Sequence, residues 1–197
     1  MIIHFYNTIQ GWFTQESLFS RMVYSCNEDR KYHFVEIGSW KGKSSTFMAV
    51  EIINSGLDIK FDCVDTWLGS EEHLDINNHA YDPVCLIENG LYNEFIKNIE
   101  PVKSVINPVR MTSIDASKLY DDNSLDFVFI DGAHDYHSVK EDVEHWFPKV
   151  RKGGYIAGDD YDWPTVKSAV DGFFVNDILT PSFGPNGEVN TWMIIKK

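Results

Sequence analysis

The stretch FVEIGSWKGKSS, Phe34–Ser45, joins an apolar run to a turn that is bracketed by Gly38 and Gly42. Lys43-Ser44 follow the second glycine, as in the phosphate-binding loop of nucleoside triphosphatases. That loop has four residues between its glycines, whereas this one has three. The dinucleotide fingerprint G-x-G-x-x-G is also absent, because residue 40 is Trp. The stretch therefore predicts a strand, a ligand-binding turn and a helix, for a ligand that is neither a polyphosphate nor a dinucleotide.

Short apolar runs alternate with amphipathic segments on both sides of this stretch. Five runs are predicted strands: His33–Ile37, Phe61–Thr66, Val105–Met111, Leu125–Asp131 and Gly154–Gly158. Apolar residues at helical spacing predict helices between them, at Ser44–Asn54, Leu91–Ile99 and Ser138–Val150. This alternation predicts an α/β fold, a three-layer α/β/α Rossmann-like sheet of about seven strands, mostly parallel, with NTWMIIKK as an antiparallel C-terminal strand. Pro108 lacks an N–H group, so the third strand is expected at an edge.

Length, charge and cysteine content limit the class of protein. The 197 residues suit one domain, 1–197, with residues 1–30 as an N-terminal helical cap and the polar stretch 68–89 as an inserted loop or lid. A net charge of -13 argues against nucleic acid and anionic membranes as partners. Three cysteines without a C-x-x-C pair, and a start without a signal or membrane span, predict a cytoplasmic protein. The oligomeric state stays open, and a homo-oligomer is among the alternatives.

Small and acidic residues follow each of the five apolar runs. In open parallel sheets, ligands bind beyond the carboxyl ends of the strands, so these residues are expected to form one site. Asp65 follows the second run, 27 residues after Gly38, where an acidic residue binds ribose hydroxyls in dinucleotide folds. Glu36 precedes the glycine turn, and its charge would repel a polyphosphate. An adenosine-bearing ligand without phosphates therefore fits the pattern best.

Four segments in a fixed order carry a resemblance to a known family. FVEIGSWKGKSSTFMA, FDCVDTW, FVFIDGAHDY and RKGGYIAGDDY resemble the class I S-adenosylmethionine-dependent methyltransferases. The likeness is strongest to the metal-dependent O-methyltransferases of small molecules, in the branch of the macrocin and mycinamicin sugar O-methyltransferases. It extends from about His33 to Asp162 and leaves the N-terminal 30 residues and Leu68–Asn89 unmatched.

The resemblance implies a set of contacts to S-adenosylmethionine. Glu36 and Gly38 would lie under its methionyl part, and Ser44, at a helix N-terminus, would bind its carboxylate. Ser113-Ile114 would contact the adenine. Trp40 would lie beside the carboxylate, although a packing role is equally consistent with the sequence. The full set of expected cofactor residues is Glu36, Gly38, Ser39, Trp40, Gly42, Ser44, Asp65, Thr66, Trp67, Ser113, Ile114 and Asp131.

The resemblance also implies a divalent cation, Mg²⁺ or Mn²⁺, held by Asp131, Asp159 and Asp160. Three carboxylates at two neighbouring strand ends repel one another unless they are protonated or bridged by a cation, and oxygen ligands suit Mg²⁺. An alternative without a metal, in which one Asp binds the cofactor or caps a turn, remains open. His134 stands where this family has its base, so Asp131 and His134 are the expected catalytic residues.

The resemblance thus implies an enzyme that transfers a methyl group from S-adenosylmethionine to a hydroxyl of a small polar molecule, sugar-like or a diol. Two alternatives belong to other classes. A P-loop-like nucleotide-binding NTPase would need phosphate binding at Gly38–Ser44, and a non-catalytic S-adenosylmethionine-binding module would not require the acids and His134. The acceptor is not identified by the sequence, because its contacts are expected from the unmatched segments.

Overall fold

A computed structural model describes residues 1–175, 182–183 and 189–197 of the chain. The strands within these residues are β1 Tyr32–Ile37, β2 Ile59–Asp65, β3 Ile106–Arg110, β4 Leu125–Ile130, β5 Val150–Gly158, β6 Ser182–Phe183 and β7 Val189–Ile195. The helices are α1 Glu16–Tyr24, α2 Lys43–Ser55, α3 Glu71–Leu74, α4 Gly90–Ile99, α5 Ser113–Ser117, α6 Tyr136–Trp146 and α7 Pro164–Phe173. No helix in this part of the chain combines the length and apolarity that a membrane span requires.

The strands form one mostly parallel sheet in the order β3-β2-β1-β4-β5-β7-β6. Strands β1 to β5 pair in parallel, and β7 runs antiparallel to both β5 and β6. The predicted three-layer fold with an antiparallel C-terminal strand is therefore confirmed. Among the described strands, six have five residues or more and β6 has two, so the seventh strand is a short addition. Strand β3, which contains Pro108, lies at the edge as expected.

Three predicted boundaries differ from the structure: the start and the end of α6 and the start of β5. The helix expected at Ser138–Val150 begins earlier, at Tyr136, because the Asp135 side chain accepts hydrogen bonds from the first backbone N–H groups. It also ends earlier, because Pro148 lies in a 3₁₀ turn directly after it. Strand β5 begins at Val150 and not at Gly154, and its pairing with β4 shifts register between Val150 and Tyr155.

Helices cover both faces of the sheet and bury a core on each. Side chains of α1, α2 and α4 fill one face, and side chains of α5, α6 and α7 fill the other. Neighbouring residues of β1 alternate between them, Phe34 in the first core and Val35 in the second. Full burial of one such side chain contributes roughly 1.5–3 kcal/mol. The two cores together hold the carboxyl ends of five parallel strands at one rigid edge.

The stretch 68–89 contains short helical turns and packs against the glycine turn. It includes α3 and a 3₁₀ turn at Pro83–Leu86. Most of its side chains are exposed or half-buried, as its polarity predicts, but Asp82 is buried. The Asp82 carboxylate lies 2.5 Å from Nζ of the buried Lys41, which also donates to Gln10 at 2.6 Å. This buried ion pair ties the inserted segment and the N-terminal segment to the turn that follows β1.

Candidate active site

A cavity of about 660 Å³ extends along the carboxyl ends of β1 to β5. Each of these strand ends contributes to its wall, through Gly38, Asp65, Met111, Asp131 and Asp159. Residues 11–14 of the N-terminal segment and 69–80 of the inserted segment complete the wall. The location agrees with the rule for open parallel sheets, and the volume is that of a small-molecule site.

The turn after β1 requires glycine at its first position. Gly38 has φ +87°, and a Cβ atom there would lie 1.8 Å from the carbonyl oxygen of Asp131. The ends of β1 and β4 therefore approach each other so closely that only glycine fits. This contact lies where the strand order reverses, between β1 and its parallel neighbour β4.

Asp65 holds two backbone turns at the cavity wall. Its carboxylate accepts hydrogen bonds from the backbone N–H groups of Trp40 at 2.9 Å and of Trp67 at 2.7 Å. Both tryptophans have positive φ, 46° and 52°, which is an uncommon conformation for bulky residues. Each carboxylate oxygen has further lone pairs, so Asp65 can still accept from a ligand.

Among the residues that the structure describes, two polar atoms of the glycine turn are buried without a hydrogen-bond partner. They are Oγ of Ser39 and Nε1 of Trp40, and both residues line the cavity. Buried polar groups are normally hydrogen-bonded, so unpaired ones at a cavity wall indicate positions for ligand atoms. Ser44, at the start of α2, also lines the cavity, where the N-terminus of the helix favours an anionic group. The Trp40 ring stacks on His73 of the inserted segment, with centroids 3.9 Å apart.

Glu36 does not line the cavity, in contrast to the expectation from the sequence. Its side chain is 1% exposed and accepts a hydrogen bond from the hydroxyl of Ser45 on α2. Burial raises the pKa of this carboxyl. Glu36 lies on the same face of β1 as Phe34, towards α2, because side chains of a strand alternate. The Glu36 carboxyl group, which was expected beside the ligand, is thus enclosed beneath the glycine turn.

Gly42 and Trp67 likewise do not line the cavity and lie behind the residues that form its wall. A Cβ atom at Gly42 would lie 3.0 Å from the Phe95 ring of α4, so this glycine permits helix packing. Trp67 is 2% exposed, packs on the same Phe95 and donates its indole N–H to the Trp40 carbonyl at 2.8 Å. Both residues support the turn from below, and neither is among the residues that line the cavity. The other expected cofactor residues do line it: Gly38, Ser39, Trp40, Ser44, Asp65, Thr66, Ser113, Ile114 and Asp131.

An acidic cluster occupies the β4–β5 end of the cavity. One ligand atom each from Asp131, His134 and Asp160 lie within 4.8 Å of one another. Burial, followed by the charges of Asp159 and Asp160, raises the pKa of Asp131 well above its usual range. Burial and the charge of Asp160 raise the pKa of Asp159 to about 7. Carboxyl groups that repel one another in this way are stabilised by protons or by a cation.

The three residues whose ligand atoms lie within 4.8 Å of one another are not the three aspartates that the sequence predicted. The carboxylate of Asp159 accepts a hydrogen bond from Nε2 of Gln15 at 2.7 Å, and the atoms that converge with Asp131 and Asp160 belong to His134. Asp159 lies beside the group with one oxygen engaged. Gln15 was not among the predicted site residues, because it lies in the N-terminal segment that the resemblance does not cover.

His134 lies between two carboxylates. Its Nε2 is 2.9 Å from Oδ2 of Asp160, and its Nδ1 is 3.6 Å from Oε1 of Glu72 in the inserted segment. Burial alone lowers the pKa of His134, but Asp160, Glu72 and Asp159 outweigh it, and the net shift is upward. The Trp163 ring packs beside the imidazole, with centroids 4.9 Å apart. Glu72, like Gln15, comes from a segment that the resemblance does not cover.

The cavity wall carries an excess of negative charge. Among the described residues it contains seven carboxylates, Asp65, Glu72, Asp131, Glu141, Asp142, Asp159 and Asp160, and a single lysine, Lys43. The Lys43 ammonium donates to the carbonyl of Gly11 at 2.7 Å. Such a wall attracts cationic ligands and repels polyphosphates. The NTPase alternative is therefore not favoured.

Two curated proteins share sequence with this chain. The uncharacterized protein y4gI of Sinorhizobium fredii is 29% identical over 149 residues, which is 75% of this chain and 15% of that protein. The uncharacterized protein R132 of Acanthamoeba polyphaga mimivirus is 31% identical over 157 residues, 77% of this chain and 63% of that protein. The chain thus spans less than two thirds of either relative.

Solved structures of O-methyltransferases share the fold, and a family model matches the sequence. The O-methyltransferase NovP superimposes with a TM-score of 0.65 at 20% identity, covering 93% of this chain and 80% of that one. TomG from Streptomyces achromogenes, solved in complex with S-adenosylmethionine, gives 0.59 at 14% identity, covering 92% and 80%. A family model described as "Methyltransferase domain" matches residues 35–161, more than half of the chain. The chain therefore belongs to this methyltransferase-domain family.

Proposed function

We propose that the protein transfers a methyl group from S-adenosylmethionine to a hydroxyl oxygen of a small polar acceptor, with Mg²⁺ or Mn²⁺ bound at the acidic cluster. One observation carries the proposal: a single cavity joins the glycine turn after β1 to a group of carboxylates with His134. The solved fold relative that binds S-adenosylmethionine supports the choice of cosubstrate. A non-catalytic binding module would have no use for the acidic end.

The glycine-turn side of the cavity fits S-adenosylmethionine. This cosubstrate supplies an electrophilic methyl group on a positively charged sulfur, which suits an acidic cavity. Ser44 at the N-terminus of α2 is proposed to bind its carboxylate. The unpaired Ser39 Oγ and Trp40 Nε1 are available to its polar atoms, and Asp65 accepts from the ribose hydroxyls.

The acidic cluster fits a hard divalent cation. Asp131 and Asp160 are its proposed ligands, together with the oxygen of Asp159 that Gln15 leaves free. When bound, Mg²⁺ supplies a Lewis acid for oxygen atoms of the acceptor. The raised pKa values of Asp131 and Asp159 show how poorly these acids tolerate one another without a counter-charge.

His134 is the proposed general base for the acceptor hydroxyl. It lies at the acidic end with an imidazole that is half-buried, and histidine suits proton removal near neutral pH. The carboxylates of Asp160 and Glu72 raise its pKa, which makes the neutral imidazole a stronger base. In this proposal the base and the cation site lie at the acidic end of the cavity, and the methyl donor binds on the glycine-turn side next to them.

The acceptor is proposed to be sugar-like or a diol, because adjacent oxygens can share one cation. Two tryptophans of the cavity wall are exposed, Trp12 at 63% and Trp163 at 42%, and Trp163 packs beside His134 at the acidic end. Exposed aromatic rings beside a polar site provide stacking surfaces for flat or ring-shaped ligands. We propose that these rings hold the acceptor while Glu72 and His79 border it.

The experiment that tests the proposal is a methyl-transfer screen. The chain is incubated with S-adenosylmethionine and a panel of sugars, catechols and hydroxy acids, and release of S-adenosylhomocysteine is measured with Mg²⁺, with Mn²⁺ and with a chelator. We expect release that depends on both an acceptor and a cation. Calorimetry with S-adenosylhomocysteine and ATP tests the cosubstrate separately, and tighter binding of ATP would overturn it.

A further inference from the structure

A buried carboxylate on α6 lines the cavity without a cation beside it. Asp142 is 5% exposed and lies on the wall with Ser113 and Ile114 of α5. Its Oδ2 is 3.6 Å from the position that a Cβ atom at Gly132 would occupy, so it borders the backbone that follows β4. Among the described residues, its side chain has one hydrogen-bond partner, Ser113.

A chain of hydrogen bonds fixes the direction of this carboxylate. The indole N–H of the fully buried Trp146 donates to Oγ of Ser113 at 2.8 Å. An indole N–H can only donate, so the Ser113 hydroxyl must turn its own hydrogen towards Oδ1 of Asp142. Oδ1 is thereby engaged, and Oδ2 is left as an acceptor on the wall. These bonds occupy the hydroxyl hydrogen of Ser113, a residue that the resemblance had assigned to the adenine.

The order of groups along the cavity indicates which part of the ligand would face Asp142. With the carboxylate of S-adenosylmethionine at Ser44 and its ribose at Asp65, at the end of β2, the nucleobase would extend beyond β2 to the part of the wall that α5 and α6 form. That part contains Ile114 of α5 and Asp142 of α6, with Gly132 next to Asp142. A purine has apolar faces and polar edges and fits this combination.

We propose that Asp142 accepts a hydrogen bond from the exocyclic amino group of adenine and thereby selects adenine over a 6-oxopurine. The inference rests on the proposed function. An ionised carboxylate can only accept, so an amino group facing it is favoured, whereas a carbonyl oxygen at the same position is repelled. Burial raises the pKa of Asp142 to about 6. This agrees with a buried carboxylate that receives its second hydrogen bond from a ligand.

The test compares two nucleoside ligands that differ at one position of the purine. Calorimetry at a pH well above the pKa of Asp142 measures the affinities for S-adenosylhomocysteine and for S-inosylhomocysteine, its 6-oxo analogue. We expect the wild-type chain to prefer the amino form by roughly 10- to 100-fold. In Asp142→Asn, Oδ1 still accepts from Ser113 and the amide N–H₂ takes the place of Oδ2. A donor then faces the purine, and the preference should fall at least about tenfold or reverse.

Controls separate this role from a structural one. Glu144→Gln changes an exposed residue of the same helix that lies off the cavity wall and should leave the preference unchanged. Ser113→Ala removes the donor that orients the carboxylate and should reduce the preference if Asp142→Asn does not fold. Equal wild-type affinities, or a preference that is unchanged in the variant that folds, would overturn the proposal. Failure of both ligands to bind the wild-type chain is a different result and overturns the proposed function itself.

Discussion

Two sets of aspartates in the same sheet differ in what surrounds them. Asp62 of β2 is 1% exposed and accepts hydrogen bonds from His33 at 2.7 Å and from Lys60 at 3.0 Å. Burial alone would raise its pKa, but these partners and Asn107 lower the pKa to about 2. Asp126 of β4 is also buried, and its guanidinium partners hold its pKa below the usual range. We call Asp62 and Asp126 the structural acids.

The site acids, Asp131, Asp159 and Asp160, have the opposite surroundings. Asp131 comes five residues after Asp126 in the sequence, directly after the end of β4. It lines the cavity, and the charges that act on it most strongly are those of other carboxylates. No lysine or arginine is paired with a site acid in the part of the chain that the structure describes.

The difference shows how a fold separates stability from function. A carboxylate that is withdrawn from water needs a counter-charge, and the structural acids have one within the chain. Among the described residues, no lysine or arginine is paired with the site acids, and their cationic neighbour is His134, beside Asp160. Keeping all three acids charged therefore lowers the stability of the fold, and a bound cation would supply further positive charge. Uncompensated acids in a cavity are therefore a better indicator of a functional site than acids alone.

Removal of a site acid should have the largest effect on turnover. Asp160→Ala, or an excess of chelator, is expected to lower methyl transfer at least ~10³-fold, because the acceptor loses its electrostatic stabilisation. Affinity for S-adenosylhomocysteine should change little, since the glycine turn is intact. Asp126→Asn, a structural acid on β4, is the matched control and should retain cation-dependent turnover below its unfolding temperature. Full activity in excess chelator would contradict the cation site.

His134→Ala should lower turnover by roughly 10²–10⁴-fold if His134 is the base. His134→Gln can hydrogen-bond but cannot accept the proton, so it should be nearly as inactive. His137→Ala changes an exposed histidine on the adjacent helix and serves as the control. Rates are compared at saturating S-adenosylmethionine. If the Gln variant retains most of the activity, His134 positions the acceptor and another group takes the proton.

Neutralisation of one acid from each set should change stability in opposite directions. Without divalent cations at neutral pH, Asp62→Asn is expected to lower the free energy of unfolding by about 2–3 kcal/mol, because His33 and Lys60 lose a charged partner. Asp131→Asn is expected to raise it by about 1–2 kcal/mol, because repulsion with Asp159 is removed. Each kilocalorie corresponds to a shift of roughly 2–4 °C in the melting temperature of a chain of this size.

Addition of Mg²⁺ sharpens this measurement. It should raise the melting temperature of the wild type and of Asp62→Asn, and it should have little effect on Asp131→Asn. Equal shifts in all three proteins would contradict a cation site at Asp131.

The features that the sequence predicted correctly depend on short-range patterns. Apolar runs and helical spacing gave the strands and helices, and Pro108 gave the edge strand, because each is decided by a few neighbouring residues. The acids after β4 and β5 came together because parallel strands end at one edge. Gln15 and Glu72 were missed because long-range packing alone brings them to Asp159 and His134.

The burial of two acids near the site had a signal in the sequence. Glu36 is two residues after Phe34, so strand alternation places both on the face that α2 covers. Asp142 lies on the helix face formed by Val139, Val143 and Trp146, all of which are buried. A carboxylate on a buried helix face indicates a special role. The same periodicity that predicted the core residues could therefore also have predicted towards which face these two acidic side chains point.

The last effect that we expect is a pH dependence of stability in which Asp142 and Asp62 again differ in sign. The folded-state pKa of Asp142, about 6, is above the value of about 3.9 in an unfolded chain. Its contribution is therefore fully present below about pH 4 and is lost as the pH rises through about 6. Relative to Asp142→Asn, the wild type should lose about 3 kcal/mol of unfolding free energy across this window, because each of the roughly two pKa units corresponds to about 1.4 kcal/mol.

Asp62 has a folded-state pKa of about 2, so its contribution is present above the unfolded value of about 3.9 and is lost as the pH falls through about 2. Denaturant titrations of the wild type, Asp142→Asn and Asp62→Asn over this pH range measure both windows. Contributions from the site acids are common to the three proteins and cancel in the differences. A difference between wild type and Asp142→Asn that does not vary from pH 4 to 7 would show that folding does not raise the pKa of Asp142. Asp142 would then not be an acid whose charge the fold leaves uncompensated, and the contrast between the two sets of acids would not extend to α6.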